Sequence, residues 1–235
     1  MAERITCWAH RGASGHAPEN TLAAFRKAME MNADGIECDV QESRDGVLVV
    51  FHDPTMRRLT GNRTPLRRLS LAEIKRLDVG RHFSAAFIGE RVPTLAETLA
   101  AIPAPFRINL EIKAPCARKM VEQVRAIHAD DRVLFSSFDH AQLAEARRLD
   151  AKIQIGVLID REPDDAALRT ALRLGAVSLN LPARRASRAF IARAHRAGLR
   201  VYLYTVNDPK RMARLGEMGA DGLFTNYPDR LSALR

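Results

Sequence analysis

A chain of 235 residues with 46% hydrophobic content can bury one sizeable core, and its length suits a single α/β barrel. Its formal charge of +9 comes largely from arginines scattered along helical stretches, and no basic-aromatic stretch marks a nucleic-acid binder. No apolar run approaches the roughly 20 residues that span a bilayer, and Cys7, Cys38 and Cys116 form no C-x-x-C pair. Neither a disulfide framework nor a thiolate zinc site is therefore indicated, and stable membrane insertion is not expected. The opening MAERITCWAH has no leader pattern, so a cytoplasmic location is expected.

In chain order, β-branched runs alternate with stretches of helical period. Strands are expected over 5–10, 35–40, 107–113, 132–138, 153–159, 176–181, 200–206 and 222–226. Helices are expected over 19–32, 118–128, 140–149, 163–175, 187–198 and 208–219, several opening at Asp, Pro or Ser and closing on Gly. Eight strands with crossover helices predict a (β/α)8 TIM-type barrel ahead of a doubly wound sheet. The run VLVVFH, 47–52, follows the second strand too closely for a parallel crossover and predicts a hairpin partner. Residues 54–92 carry one helical piece, LAEIKRL, and otherwise read as a loop insertion on the active-site rim of a single 1–235 domain.

Asp45-Gly46 signals a two-residue hairpin turn. Pairing Arg44 with Val47 then sets Asp39 opposite His52, with Glu37 on the same face. Two carboxylates sharing one face repel, and burying them unpaired is costly, so a divalent cation between them is expected. Oxygen ligation favours Mg²⁺ or Ca²⁺. A second strand, RINLEIK, places Asn109, Glu111 and Lys113 on one face, which makes Glu111 a third ligand and Lys113 a contact for an anionic oxygen or a partner of Glu111. The first strand brings His10 and Arg11 to the same end of the barrel. Arg11 forks onto phosphate, and the glycine-containing loop and helix start behind it are expected to add amides. Two imidazoles, a cation, Arg and Lys suit phosphodiester cleavage, one imidazole taking a proton and the other giving one. His16, His82, His128 and His140 receive no role, and His195 reads as helix surface.

The segments HRGASGHAPENTLAAF, DGIECDVQESRDGVLVVFHDPTMRRLTG, GERVPTLAETL, INLEIK, VYLYTVND and DGLFTNYPD together resemble the glycerophosphodiester phosphodiesterase family over essentially the whole chain. The resemblance implies a TIM-type barrel, a divalent cation and hydrolysis of glycerophosphodiesters to sn-glycerol 3-phosphate and an alcohol. By matching position it makes His10 and His52 the acid–base pair, Glu37, Asp39 and Glu111 the metal ligands, and Arg11 and Lys113 the phosphate contacts. Tyr204 stands where the family usually has Trp, a smaller wall carrying a hydroxyl; Phe138 is either another wall or a core aromatic. Two rivals stay open. A lysophospholipase D-type enzyme would need an apolar groove, for which only HFSAAFIG, 82–89, is a candidate, and a silent barrel would merely bind a phosphorylated ligand.

Overall fold

The computed structural model describes residues 4–162 and 164–234. The first three residues, part of the stretch searched for a leader, and Pro163, the expected start of a helix, lie outside the described residues. The strands are β1 (Thr6–His10), β2 (Gly35–Glu42), β3 (Leu48–Val50), β4 (Arg107–Ile112), β5 (Val133–Ser137), β6 (Gln154–Leu158), β7 (Ser178–Pro182), β8 (Arg200–Tyr204) and β9 (Gly222–Thr225). All but β3 run parallel, and β1 pairs with both β9 and β2, which closes the expected (β/α)8 barrel.

Strand parity sorts the side chains into two cores. Ile36, Cys38 and Val40 of β2 and Ile108, Leu110 and Ile112 of β4 face the surrounding helices in one apolar layer. Trp8, Leu134, Tyr202 and Phe224 instead plug the barrel axis. The indole fits because β2 opens on Gly35, where a Cβ would lie 2.6 Å from the Trp8 ring. Toward the C-terminal ends of the strands the inward positions turn polar, with Glu37, Asp39, Asn109, Ser136 and Asn180 all buried.

The hairpin register differs by one residue from the expected pairing. Val40, Gln41 and Glu42 pair with Val50, Val49 and Leu48, and Phe51 N donates to Asp39 O at 2.8 Å. Ser43, not Arg44, therefore faces Val47. The turn has three residues, closed by Gly46 N donating to Ser43 O at 3.0 Å, with Gly46 in the left-handed region at φ +80°. Ser43 Oγ supports it, donating to Asp45 Oδ1 at 2.7 Å and accepting from Val47 N at 3.0 Å. His52 thus loses its ladder position opposite Asp39. It still reaches the barrel mouth, because the strand stops at Val50 and Gln41 Nε2 donates to Phe51 O (2.7 Å) and Asp53 O (2.9 Å), bending this segment over the opening.

Residues 54–92 are more structured than the loop expected. The helical piece is Leu71–Arg76, started by a capping box between Ser70 and Glu73. A one-turn helix at Arg57–Thr60 and 3₁₀ turns at Leu66–Arg68 and Ala85–Phe87, too short to leave a period in sequence, surround it. All but Ala85–Phe87, which buries no side chain, contribute to a core of the insertion's own that includes Phe51, Met56, Leu66, Ile74 and Val92. Among the described residues no helix is long and apolar enough to cross a membrane.

Candidate active site

Register aligns the chemistry-bearing residues before any side chain is considered. His10 sits beside Glu37 across β1 and β2, and Asp39 sits beside Glu111 across β2 and β4. Parity turns Glu37, Asp39 and Glu111 inward, where one oxygen from each lies within 4.8 Å of the others. Cys38, between two of them, points into the apolar layer. A cavity of about 240 Å³ opens over this cluster. Its polar wall contains His10, Arg11, Glu37, His52, Glu111 and Lys113, and its apolar wall Phe138, Leu158, Tyr204 and Phe224. Asp39, at 1% exposure, lies behind the polar wall.

The three inward carboxylates do not share their charge evenly. Burial, then the neighbouring Asp39 and Glu111 charges, push Glu37 well above the usual carboxylate range, although Arg11 N donates to its Oε2 at 3.0 Å. Burial and Asp39 likewise raise Glu111 to about 7 against the pull of Lys113, whose Nζ lies 3.1 Å from Glu111 Oε1. Asp39 is held low despite burial by Arg11, His52 and Lys113 and by Asn20 Nδ2, which donates to its Oδ2 at 2.8 Å. With Glu19 and Asp53 at the rim counted and all five carboxylates ionised, the three permanent cations Arg11, Arg58 and Lys113 would leave two negative charges uncompensated, and the raised Glu37 and Glu111 reflect burial and that repulsion. A hard, oxygen-ligated divalent cation fits this donor set.

The two histidines differ in what orients them. His10 Nδ1 lies 2.8 Å from Asn226 Oδ1, an amide acceptor, so Nδ1 carries the proton and Nε2 keeps its lone pair. Burial, then the Arg11 charge, lower His10 to about 4, which leaves it neutral at ordinary pH. His52 Nδ1 instead lies 2.7 Å from Asp53 Oδ1, a carboxylate oxygen that can only accept, so Nδ1–H donates to it and the carboxylate orients the ring. Asp53 itself stays low despite burial because Arg58 and His52 both bond it.

Other expectations are adjusted. The loop and helix start behind Arg11 do not line the cavity: Gly12 N, Gly15 N and Ala24 N are bonded to Ala9 O, Asn226 O and Thr21 Oγ1. Arg11 itself is held at φ +56°, an uncommon conformation for a branched-free but bulky side chain, with Nε 3.3 Å from Asp39 Oδ2. The Tyr204 hydroxyl is occupied, donating to Ile159 O at 2.6 Å, so Tyr204 offers the cavity its ring. Phe138 is a rim residue, 45% exposed and edge-on to Tyr204 at 6.2 Å, rather than a core aromatic. His195 lies on the outer surface, paired with Asp221. Glu19, Asn20, Asp53, Arg58 and Asn226 were not singled out from sequence, although all five lie inside the segments that carry the resemblance.

Comparison with known proteins agrees with the geometry. The model of the glycerophosphoryl diester phosphodiesterase family matches residues 10–230. A glycerophosphodiester phosphodiesterase of Caldanaerobacter subterraneus subsp. tengcongensis is 36% identical over 233 residues, 95% of this chain and 94% of that protein. A solved Oleispira antarctica phosphodiesterase, in complex with the product sn-glycerol-3-phosphate, superposes with a TM-score of 0.89 at 29% identity, covering 97% of this chain and 95% of that one. The glycerophosphodiester phosphodiesterase of Thermotoga maritima gives a TM-score of 0.86 at 28% identity, with both chains fully covered. The matching barrel, the shared length and the family model together establish that this chain belongs to the glycerophosphoryl diester phosphodiesterase family of enzymes.

Proposed function

We propose that the enzyme hydrolyses glycerophosphodiesters such as glycerophosphocholine or glycerophosphoethanolamine to sn-glycerol 3-phosphate and the free alcohol, with His10 as proton acceptor and His52 as proton donor. The observation that carries this reading is the different partner of each imidazole, an amide oxygen on His10 Nδ1 and a carboxylate on His52 Nδ1, with both histidines lining the cavity over the carboxylate cluster. Glu37, Asp39 and Glu111 would hold Mg²⁺ or Ca²⁺, which when bound offsets the charge of the phosphate oxygens. Arg11 and Lys113 orient the phosphodiester on the polar wall. His10 Nε2 then removes a proton from the attacking water. As the new P–O bond forms and the ester bond breaks, His52 Nε2–H delivers its proton to the departing alkoxide, so the alcohol leaves neutral. The apolar wall of Leu158, Tyr204 and Phe224, with Phe138 at the rim, packs against substrate carbons and excludes water.

Leaving-group chemistry tests the assignment. His52→Asn is expected to lose about 10² to 10⁴ in kcat on glycerophosphocholine and to recover most of it on a p-nitrophenyl ester, whose alcohol departs without a proton. His10→Asn is expected to lose both. The reverse pattern would exchange the roles. A lysophospholipase D-type reading is less well supported, because no residue of 82–89 lines the cavity and Phe83 and Ile88 lie exposed on the insertion.

A further inference from the structure

We propose that Arg58, on the insertion's first helical turn, is a positioning residue that locks the proton donor His52 and the phosphate-binding Arg11 into one rigid frame. The inference rests on the function proposed above and extends it to a residue outside the cavity wall. Arg58 clamps two carboxylates at once. Its Nε and Nη2 lie 2.7 and 3.3 Å from Asp53 Oδ2 and Oδ1, and its Nη1 and Nη2 lie 2.9 and 2.6 Å from Glu19 Oε2 and Oε1. Each carboxylate then holds one member of the site. Asp53 Oδ1 accepts from His52 Nδ1 at 2.7 Å, and Glu19 Oε1 accepts from Arg11 Nη1 at 2.9 Å.

This network has work that a surface ion pair lacks. Exposed pairs contribute little, and Arg58 itself is 47% exposed, but the Glu19 and Asp53 side chains it grips are only 17% and 19% exposed. His52 lies beyond the last ladder residue of β3, so no strand pairing fixes its ring. Its orientation depends on Gln41, which holds the backbone on either side, and on Asp53, which holds Nδ1. Asp53 is in turn aimed by Arg58. Only a planar guanidinium can grip two carboxylates bidentately, so lysine would keep the charge and lose the geometry. The insertion, whose core also takes in Phe51 beside His52, thereby reaches the charged groups of the site through Arg58.

The test compares two leaving groups in Arg58→Gln and Arg58→Lys. If Arg58 acts by aiming the proton donor, kcat on glycerophosphocholine is expected to fall about 10- to 100-fold in both variants, a part of the full acid contribution. On the glycerophospho-p-nitrophenyl ester, which needs no donor, the loss should be about tenfold smaller. Adding Asp53→Asn to Arg58→Gln should lower kcat on glycerophosphocholine little beyond Asp53→Asn alone, because both act on kcat through one ring, while the Glu19–Arg11 arm should appear as a raised KM on both substrates. Equal losses on the two substrates, or additive losses in the double variant, would overturn the proposal in favour of a merely structural ion pair. So would unchanged kcat. If Arg58→Gln does not fold, Arg58→Lys carries the same comparison. Wild-type protein that cleaves neither substrate would instead reject the underlying function, a failure visible before any variant is made.

Discussion

Replacing Asn226 by Ala isolates the tautomer on which His10 depends. Asn226 Oδ1 is the acceptor for His10 Nδ1 at 2.8 Å, and it is itself placed by Asn207, whose Oδ1 accepts from Asn226 N at 2.9 Å. In the variant His10 must either keep an unpaired Nδ1 proton or move it to Nε2, the atom that should accept. Leaving a buried donor unpaired costs about 1 to 3 kcal/mol, so the competent tautomer should become about 5- to 150-fold rarer. Steady-state kinetics on glycerophosphocholine should show that loss in kcat with KM little changed, since the phosphate contacts are untouched. Asn226→Asp gives the complementary test through pH. A carboxylate at the same distance stabilises the imidazolium and should raise His10 by about 1 to 3 pH units from its value of about 4. In the proposed role His10 acts only when neutral, so the acidic limb of kcat/KM should move upward by that amount, with activity lost as pH falls through the raised pKa. Full kcat in Asn226→Ala, or an unmoved limb in Asn226→Asp, would refute the assignment of His10 as proton acceptor.

Three further outcomes are expected. EDTA should abolish turnover and Mg²⁺ or Ca²⁺ restore it, and cation at about 100 times its Kd should add about 2.7 kcal/mol of stability, roughly 5 to 10 °C in a thermal melt; activity in excess EDTA with no melt shift contradicts the cation site. Cys38→Ala should keep cation affinity and kcat because its thiol faces the helices, whereas Asp39→Ala should lose both, and calorimetric titration of folded variants distinguishes the opposite pattern. Leu66→Ala, at a fully buried position in the insertion core, should cost about 2 to 5 kcal/mol in urea unfolding, and a loss below 1 kcal/mol would contradict that core.

The barrel was legible because β4 and its neighbours carry their period openly: Ile108, Leu110 and Ile112 alternate with Asn109 and Glu111. The same parity placed Glu37, Asp39 and Glu111 together. The hairpin was misread by one residue because Asp-Gly serves both a two-residue turn and a three-residue turn with a glycine bulge. Ser43 and Asp45, which close the longer form with side-chain hydrogen bonds, decide between them only once their atoms are placed. His52 reached the mouth for a different reason than the register supplied: the strand ends before it. The pairing of Arg58 with Glu19 and of Asn226 with His10 stayed hidden because these contacts join residues far apart, across 39 and 216 positions. No local period records such pairs. The insertion's short helical turns were missed for want of length, since one turn shows no repeat.

The most direct test of the central claim is the identity of the products formed from glycerophosphocholine in ¹⁸O-labelled water with Mg²⁺ or Ca²⁺, read by ³¹P NMR and mass spectrometry. Cleavage assisted by His52 on the alcohol side should yield sn-glycerol 3-phosphate carrying one ¹⁸O and unlabelled choline. Phosphocholine with glycerol, label in choline, or intact substrate after prolonged incubation with either cation would contradict it.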